Sequence, residues 1–253
     1  MSTMKISVLL PIKNQSQMLL DNLKAKVLPS FDSCGLTYEV IICYDGSNEE
    51  NQKIIEEALP SLPAHVRATP YEAKLGKGHN VSKAVLASNG DYCLFMDADM
   101  ATDLKVFDLM KPDLGKIDAL IASRDLKGSV YVNKQRFKRR LIHRLSKIWI
   151  RFKLHSKGIH DTQCGYKCFR TPLAKVIASR SIIDGFAFDC EYLYFLLLNG
   201  YSIKEYPCDW DDGPDSSIAH PFHASADFMK DLRRIKRNKK AYILSKQEKE
   251  ALC

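Results

Sequence analysis

Residues 90–100 read GDYCLFMDADM, and the fold is decided there. Positions 92–96, Tyr-Cys-Leu-Phe-Met, are too apolar for an exposed loop and too short for a typical helix. Such a run reads as a strand buried on both faces of a parallel sheet. It leads directly into Asp97-Ala98-Asp99. Carboxylates at that point lie beyond the carboxyl edge, where open α/β sheets bind ligands. Two like charges this close resist desolvation unless a cation neutralises them. The pattern therefore points to a divalent metal, Mg²⁺ or Mn²⁺, shared with a substrate's phosphates. For an isolated Asp-x-Asp the competing reading is a solvated turn with a helix-capping aspartate.

Outward from this strand the chain alternates. Residues 6–11 and 40–43 read as buried strands, 66–69 as a short one and 119–123 as another. Helices are expected over 17–28, 51–59 and 78–87. This βαβ rhythm implies an α/β fold with a mainly parallel central sheet and helices on both faces. After a long basic helical pattern come HDTQCG at 160–165 and GFAFDCE at 185–191. A helix is expected from 189 to 198, with acids in its first turn and Gly200 at its end, then a strand over 203–207. Residues 241–253 read as a polar, frayed tail.

At 253 residues the chain suits one large α/β domain or two small ones. No run of 18 apolar residues occurs, which argues against a transmembrane helix. The apolar run at 6–12 is broken by Ser7 and Pro11 and reads as the first strand rather than a secretory signal. The eight cysteines are scattered, several inside apolar strand patterns, and fit a reducing cytoplasmic setting. Cys164 and Cys168 lack a second pair at zinc-site spacing. The net charge of +8 is local: residues 134–157 hold ten Lys or Arg and no acid, which leaves 28 basic against 30 acidic residues elsewhere. A second basic cluster occupies 230–240. Local basicity points to a partner surface.

Four signals close successive expected strands: PIKN at 11–14, DGS at 45–47, LGKG at 75–78 and DAD at 97–99. Their convergence on one sheet edge is stronger than any one alone. With DTQCGYKCFR at 161–170 and GFAFDCEYLY at 185–194, they resemble family 2 glycosyltransferases of the GT-A fold. The resemblance runs from about residue 5 to about 235 and is greatest to the dolichyl-phosphate glucosyltransferase branch, near the polyprenyl-phosphate hexose synthases. It implies one GT-A domain over 1–240, with a Rossmann-like nucleotide-sugar half over about 1–125 and an acceptor half over about 126–240. It also implies a nucleotide-sugar donor, a UDP-hexose, and a lipid-phosphate or glycan acceptor.

Roles follow from that resemblance. Pro11 and Asn14 would flank the nucleobase pocket. Asp45 would accept hydrogen bonds from base or ribose, unless it only caps its turn. Lys77, between Gly76 and Gly78, would face phosphate or ribose oxygens, the glycines letting backbone approach the ligand. LGKGHN is not a Walker A loop, because its glycine spacing and following Ser/Thr are absent. Asp99 would ligate the metal directly, and Asp97 would touch metal or ribose. Arg124 would balance a donor or acceptor phosphate, and Arg139, opening the basic helix, would add to it. Asp161 and Gln163 would recognise sugar hydroxyls, with Gly165 allowing close approach. Asp189 would take a proton from a hydroxyl acceptor, while Glu191 matches the acid of the prenyl-phosphate branch. The competing reading for both is an acid pair stabilised by the helix dipole.

The implied chemistry is one inverting displacement at the anomeric carbon, with the diphosphate leaving group stabilised electrostatically. A phosphate acceptor is already anionic and needs no strong base; a hydroxyl acceptor does. In the basic segment Phe137, Leu141, Leu145, Ile148, Trp149 and Phe152 recur at three- and four-residue spacing among the cations. That pattern fits a helix lying on an anionic membrane, a nucleic-acid-binding helix, or a face packed on the sheet. The expectation is peripheral attachment to the cytosolic face of a membrane, with no nucleic-acid partner. A non-catalytic basic binding protein is the rival from another class. Lys13, Gln15 and Tyr44 depart from the family's usual residues in the pocket that separates uridine from guanosine.

Overall fold

The computed structural model describes residues 4–74, 76–132, 150–151, 154, 158–211 and 221–252. A seven-stranded sheet forms the centre, in the order β3-β2-β1-β4-β7-β5-β8. Its first four strands, β1 (Lys5–Pro11), β2 (Thr37–Cys43), β3 (Val66–Ala68) and β4 (Tyr92–Met96), pair in parallel among themselves. β5 (Ala119–Ser123) and β8 (Ile203–Pro207) pair in parallel at the far edge. Between the two groups β7 (Tyr166–Arg170) runs antiparallel to both β4 and β5. A short second sheet joins β6 (Val130–Tyr131) to β9 (Asp209–Trp210).

Alternation along the buried strands sends side chains to two apolar layers. Leu9, Ile41, Cys43, Cys93 and Phe95 face one cluster, shared with α4 (Lys77–Ala87), α6 (Thr171–Arg180) and α7 (Phe188–Asn199). Val8, Leu10, Val40, Ile42, Leu94 and Met96 face the other, shared with α1 (Ser16–Asn22), α2 (Leu28–Asp32), α3 (Glu49–Ala58) and α5 (Val106–Met110). Each fully buried Leu, Ile or Phe contributes about 1.5–3 kcal/mol of transfer free energy, so these two layers fix the strand register. The sequence reading of a mainly parallel sheet with helices on both faces is borne out.

Three expectations need correction. The helix over 17–28 continues through a π-helical turn at Leu23–Val27 into α2 and ends at Asp32. The sequence reading assigns no strand to Tyr166–Arg170, which form β7. The expected frayed tail is packed: α8 (Pro221–Arg237) is followed by α9 (Lys239–Tyr242) and α10 (Lys246–Glu250), the last opened by a Ser245–Glu248 capping box. Tyr242 and Leu244 are buried in the first apolar layer, and Arg180 pairs with Glu248. Most of the basic segment lies outside the described residues. Of it, Ile150 and Leu154 join the core, while the six residues of the expected apolar face lie outside the described residues. Among the described residues no helix is long and apolar enough to cross a membrane.

Candidate active site

Because β1, β2 and β4 are parallel neighbours, the loops leaving them share one edge of the sheet. Beyond β1, Asn14 and Gln15 both take left-handed backbone conformations, with φ of 58° and 55°. Each costs about 1 kcal/mol in an L-residue and persists because neighbours hold it. Here Asn14 Oδ1 accepts the Asn48 amide at 3.0 Å, and the Asn14 amide donates to Ser47 Oγ at 2.9 Å. Asn80, buried on α4, donates from Nδ2 to the Ile12 carbonyl at 3.1 Å and reaches the Asp45 carbonyl at 3.3 Å. It thus ties the ends of β1 and β2, a role with no signal in the sequence beyond a polar residue on an apolar helix face. Pro11 closes β1 and is buried. Tyr44, one of the departures, packs at 5.6 Å from the Tyr71 ring and donates to Glu56.

Asp45 is fully enclosed. Its carboxylate takes Lys83 Nζ at 2.8 Å, His79 Nε2 at 3.1 Å and the Glu72 amide at 2.7 Å. Glu72 also contacts Lys83 at 3.0 Å. Asp45, Glu72 and His79 bring ligand atoms close enough for a metal ion. Lys83, however, already supplies the positive charge between the two acids. Lys83, His79 and the Glu72 amide are thus the partners that hold the Asp45 carboxylate in place.

The second corner lies beyond β4. Lys77 pairs with Asp97 Oδ1. Burial alone would depress the Lys77 ammonium, but the charges of Asp97, Asp189 and Asp99 outweigh it and hold it above its ordinary value. Asp99 is exposed as a residue and accepts the Ala101 amide at 3.0 Å; partial desolvation of its carboxyl by the surrounding turn and the nearby Asp97 push its pKa up. Asp189, on the first turn of α7, pairs with the wholly buried Lys167 at 2.7 Å. Desolvation raises the Asp189 carboxyl despite Lys167 and Lys77. Lys167 sits in β7 between apolar neighbours and also lies 5.3 Å from the Phe95 ring centre. It went unrecognised in the sequence, although a lysine inside a strand buried on both faces is itself a signal.

Glycines shape this corner by contact. A Cβ on Gly165 would lie 1.9 Å from Asp97 Oδ2, so only glycine lets that carboxylate sit there. The close approach expected of Gly165 is therefore to Asp97. Cβ atoms on Gly76 and Gly78 would meet the Asp184 and Ile183 carbonyls at 2.1 and 2.4 Å. The glycines beside Lys77 thus admit the 183–184 backbone.

The remaining expected residues fall in two places. Arg124 Nε and Nη2 grip Asp161 at 2.6 and 2.9 Å, and the guanidinium lies 5.3 Å from the Trp210 ring. Asp161 is fully buried and also accepts the Gln163 amide at 3.1 Å. It holds Arg124 and the start of its own loop. Glu191, fully buried, accepts from Ser181, Ile182, Ile183 and Tyr242 and serves packing on that side of α7. Arg139 lies outside the described residues.

A divalent cation fits the second corner on its donor chemistry. Two carboxylates stand on one turn, desolvation and Asp97 raise Asp99, and among the described residues three carboxylates face two ammoniums there. Hard oxygen donors of that kind suit Mg²⁺ or Mn²⁺ completed by diphosphate oxygens.

The sequence matches the model of the family described as glycosyl transferase family 2 over residues 7–172. It is 33% identical over 242 residues to a dolichyl-phosphate beta-glucosyltransferase of Dictyostelium discoideum, covering 91% of this chain and 73% of that one. It is 27% identical to the mouse protein of the same name, with 91% and 74% covered. Among solved structures, glucosyl-3-phosphoglycerate synthase of Mycobacterium tuberculosis, crystallised with Mn²⁺, UDP-glucose and phosphoglyceric acid, superposes with a TM-score of 0.63 at 16% identity. That match covers 96% of this chain and 81% of the synthase and shows a shared GT-A fold. The chain belongs to glycosyl transferase family 2, as a nucleotide-sugar-dependent glycosyltransferase similar to the dolichyl-phosphate glucosyltransferases.

Proposed function

We propose that the chain transfers glucose from UDP-glucose to dolichyl or another polyprenyl phosphate, with Mg²⁺ or Mn²⁺ held by Asp97 and Asp99, at the cytosolic face of a membrane. The observation that carries this reading is the similarity to dolichyl-phosphate beta-glucosyltransferases along nine-tenths of the chain. The synthase of like fold, bound to Mn²⁺ and UDP-glucose, agrees with the donor and the metal. The cation would supply charge for the departing diphosphate. Lys77 would face the same oxygens across from Asp97, and Arg124, held flat by Asp161, would face an incoming phosphate. The acceptor phosphate attacks the anomeric carbon as the sugar–diphosphate bond breaks, and no proton has to be removed. Apolar and basic residues of the 134–157 segment would meet the lipid surface.

One observation favours a second acceptor class. Asp189 has a raised pKa, as a base for a sugar hydroxyl requires. The two acceptors differ in what Asp189→Asn does. With a phosphate acceptor, turnover falls by about tenfold or less, from loss of the Lys167 partner; with a hydroxyl acceptor it falls by about 10²–10⁴. A screen of UDP- and GDP-sugars with Mg²⁺ or Mn²⁺, with and without a short prenyl phosphate, tests the whole reading. Prenyl-phosphate-dependent release of UDP from UDP-glucose is the expected result. Absence of transfer from every donor would overturn it.

A further inference from the structure

Glu191 is a buried acid whose four hydrogen bonds all point away from the Asp97 corner. Oε1 accepts the Ile182 amide at 2.8 Å and the Tyr242 hydroxyl; Oε2 accepts the Ile183 amide at 3.2 Å and Ser181 Oγ. Three of those donors belong to one strap, residues 181–184, that follows α6. The fourth comes from the C-terminal segment, folded back against α6 and α7. Arg234 of α8 adds a bond to the Ile182 carbonyl at 3.1 Å.

The far end of the strap rests on the lysine turn. The Asp184 carbonyl accepts the Gly78 and His79 amides at 2.8 and 3.2 Å, and its carboxylate pairs with Lys74 at 2.8 Å. Gly76 and Gly78 have no room for a Cβ against this backbone. The strap therefore decides where α4 begins, and α4 begins with Lys77, which meets Asp97, and His79, which meets Asp45. We propose that Glu191, backed by Tyr242, is a positioning residue for the nucleoside-diphosphate site, acting through the 181–184 strap on Lys77. A carboxylate suits the task because only an anion with both oxygens buried gathers four donors, and those donors repay its desolvation. The C-terminal segment thereby becomes a working part of the donor site, 165 residues from Lys77 along the chain.

The inference rests on a nucleoside diphosphate lying at Lys77. The probe is whichever of UDP and GDP the wild-type chain binds with Mn²⁺ in calorimetry, so a wrong choice of base is registered by the wild type and a wrong positioning role by the variants. Glu191→Gln is expected to weaken that binding by about tenfold and raise the donor KM equally, with kcat within about threefold. Tyr242→Phe and Ser181→Ala, each removing one donor, should weaken binding by about threefold. In a Lys77→Ala background Glu191→Gln should cost nothing further, since its effect passes through that side chain. Phe31→Leu is the control for lost stability: Phe31 packs with Tyr38 at the opposite edge of the sheet, and its loss should lower Tm without changing affinity. Wild-type affinity in Glu191→Gln, or weakening in every variant in proportion to its Tm, Phe31→Leu included, would overturn the proposal. If Glu191→Gln does not fold, unchanged affinity in both single-donor variants overturns it as well.

Discussion

The two acidic corners at the carboxyl edge of the sheet have opposite charge balance. At Asp45 the acids are answered in place: Lys83 touches both Asp45 and Glu72, and His79 and a backbone amide complete the shell. At Asp97 three carboxylates share two ammoniums, and the outermost, Asp99, is exposed with its pKa raised. The same residue type at the same sheet edge can therefore be neutralised within the protein or left short of positive charge. What separates them is whether a lysine sits within reach of each acid, not the motif that carries it.

The largest way to break this comparison is Asp99→Ala. It should lower metal-dependent turnover of the sugar nucleotide by about 10³ or more, the scale of losing transition-state charge stabilisation, with the fold intact. Activity within tenfold of the parent would remove Asp99 from the metal site. Asp45→Asn should act on stability instead. Lys83 would keep the exposed Glu72 as its partner, so losing the buried Asp45 charge costs about 1–2 kcal/mol, read as a lowered urea midpoint. Gly165→Ala probes the seat of Asp97: a Cβ 1.9 Å from Oδ2 must displace the carboxylate, and kcat/KM should fall by about 10² while circular dichroism stays native. The smallest effect is the reverse of the Asp45 loss. Because the Asp99 pKa is raised in the folded state, its contribution is whole only below the unfolded value of 3.8 and is lost as pH rises through the folded one. Asp99→Asn should thus be more stable than the parent at pH 7, by about 0.5 kcal/mol after solvent screening, and the gap should close below about pH 4. A constant gap across pH would contradict the charge imbalance.

β4 and β5 begin and end where their apolar runs do, because a short strand buried on both faces leaves nothing ambiguous in composition. β7 escaped because Lys167 and Arg170 interrupt its pattern. The ammonium that makes Lys167 look misplaced is satisfied by Asp189, 22 residues later. Arg124 and Asp161 lie 37 apart and Glu191 and Tyr242 51 apart, so each could be named as a candidate while its partner stayed hidden. Residues 241–253 are polar enough to read as frayed; a buried Tyr242 and a capping box outweigh that composition. Motifs named the candidate residues. The pairings that decide which member acts and which one holds are long-range and had to come from the fold.

The antiparallel strand β7 also sets an order of assembly. β3, β2, β1 and β4 come from the first 96 residues and can pair among themselves. β5 and β8 reach that half only through β7, which arrives 70 residues after β4 has ended. Closing a loop of that length is slow relative to local contacts. The Asp97 amide bonds to the Gly165 carbonyl at 3.0 Å, and Lys167 enters with the same strand. A nascent chain can therefore lay down its nucleotide-facing half early, yet its acidic turn stays without its seat until this late strand closes the gap between the two halves.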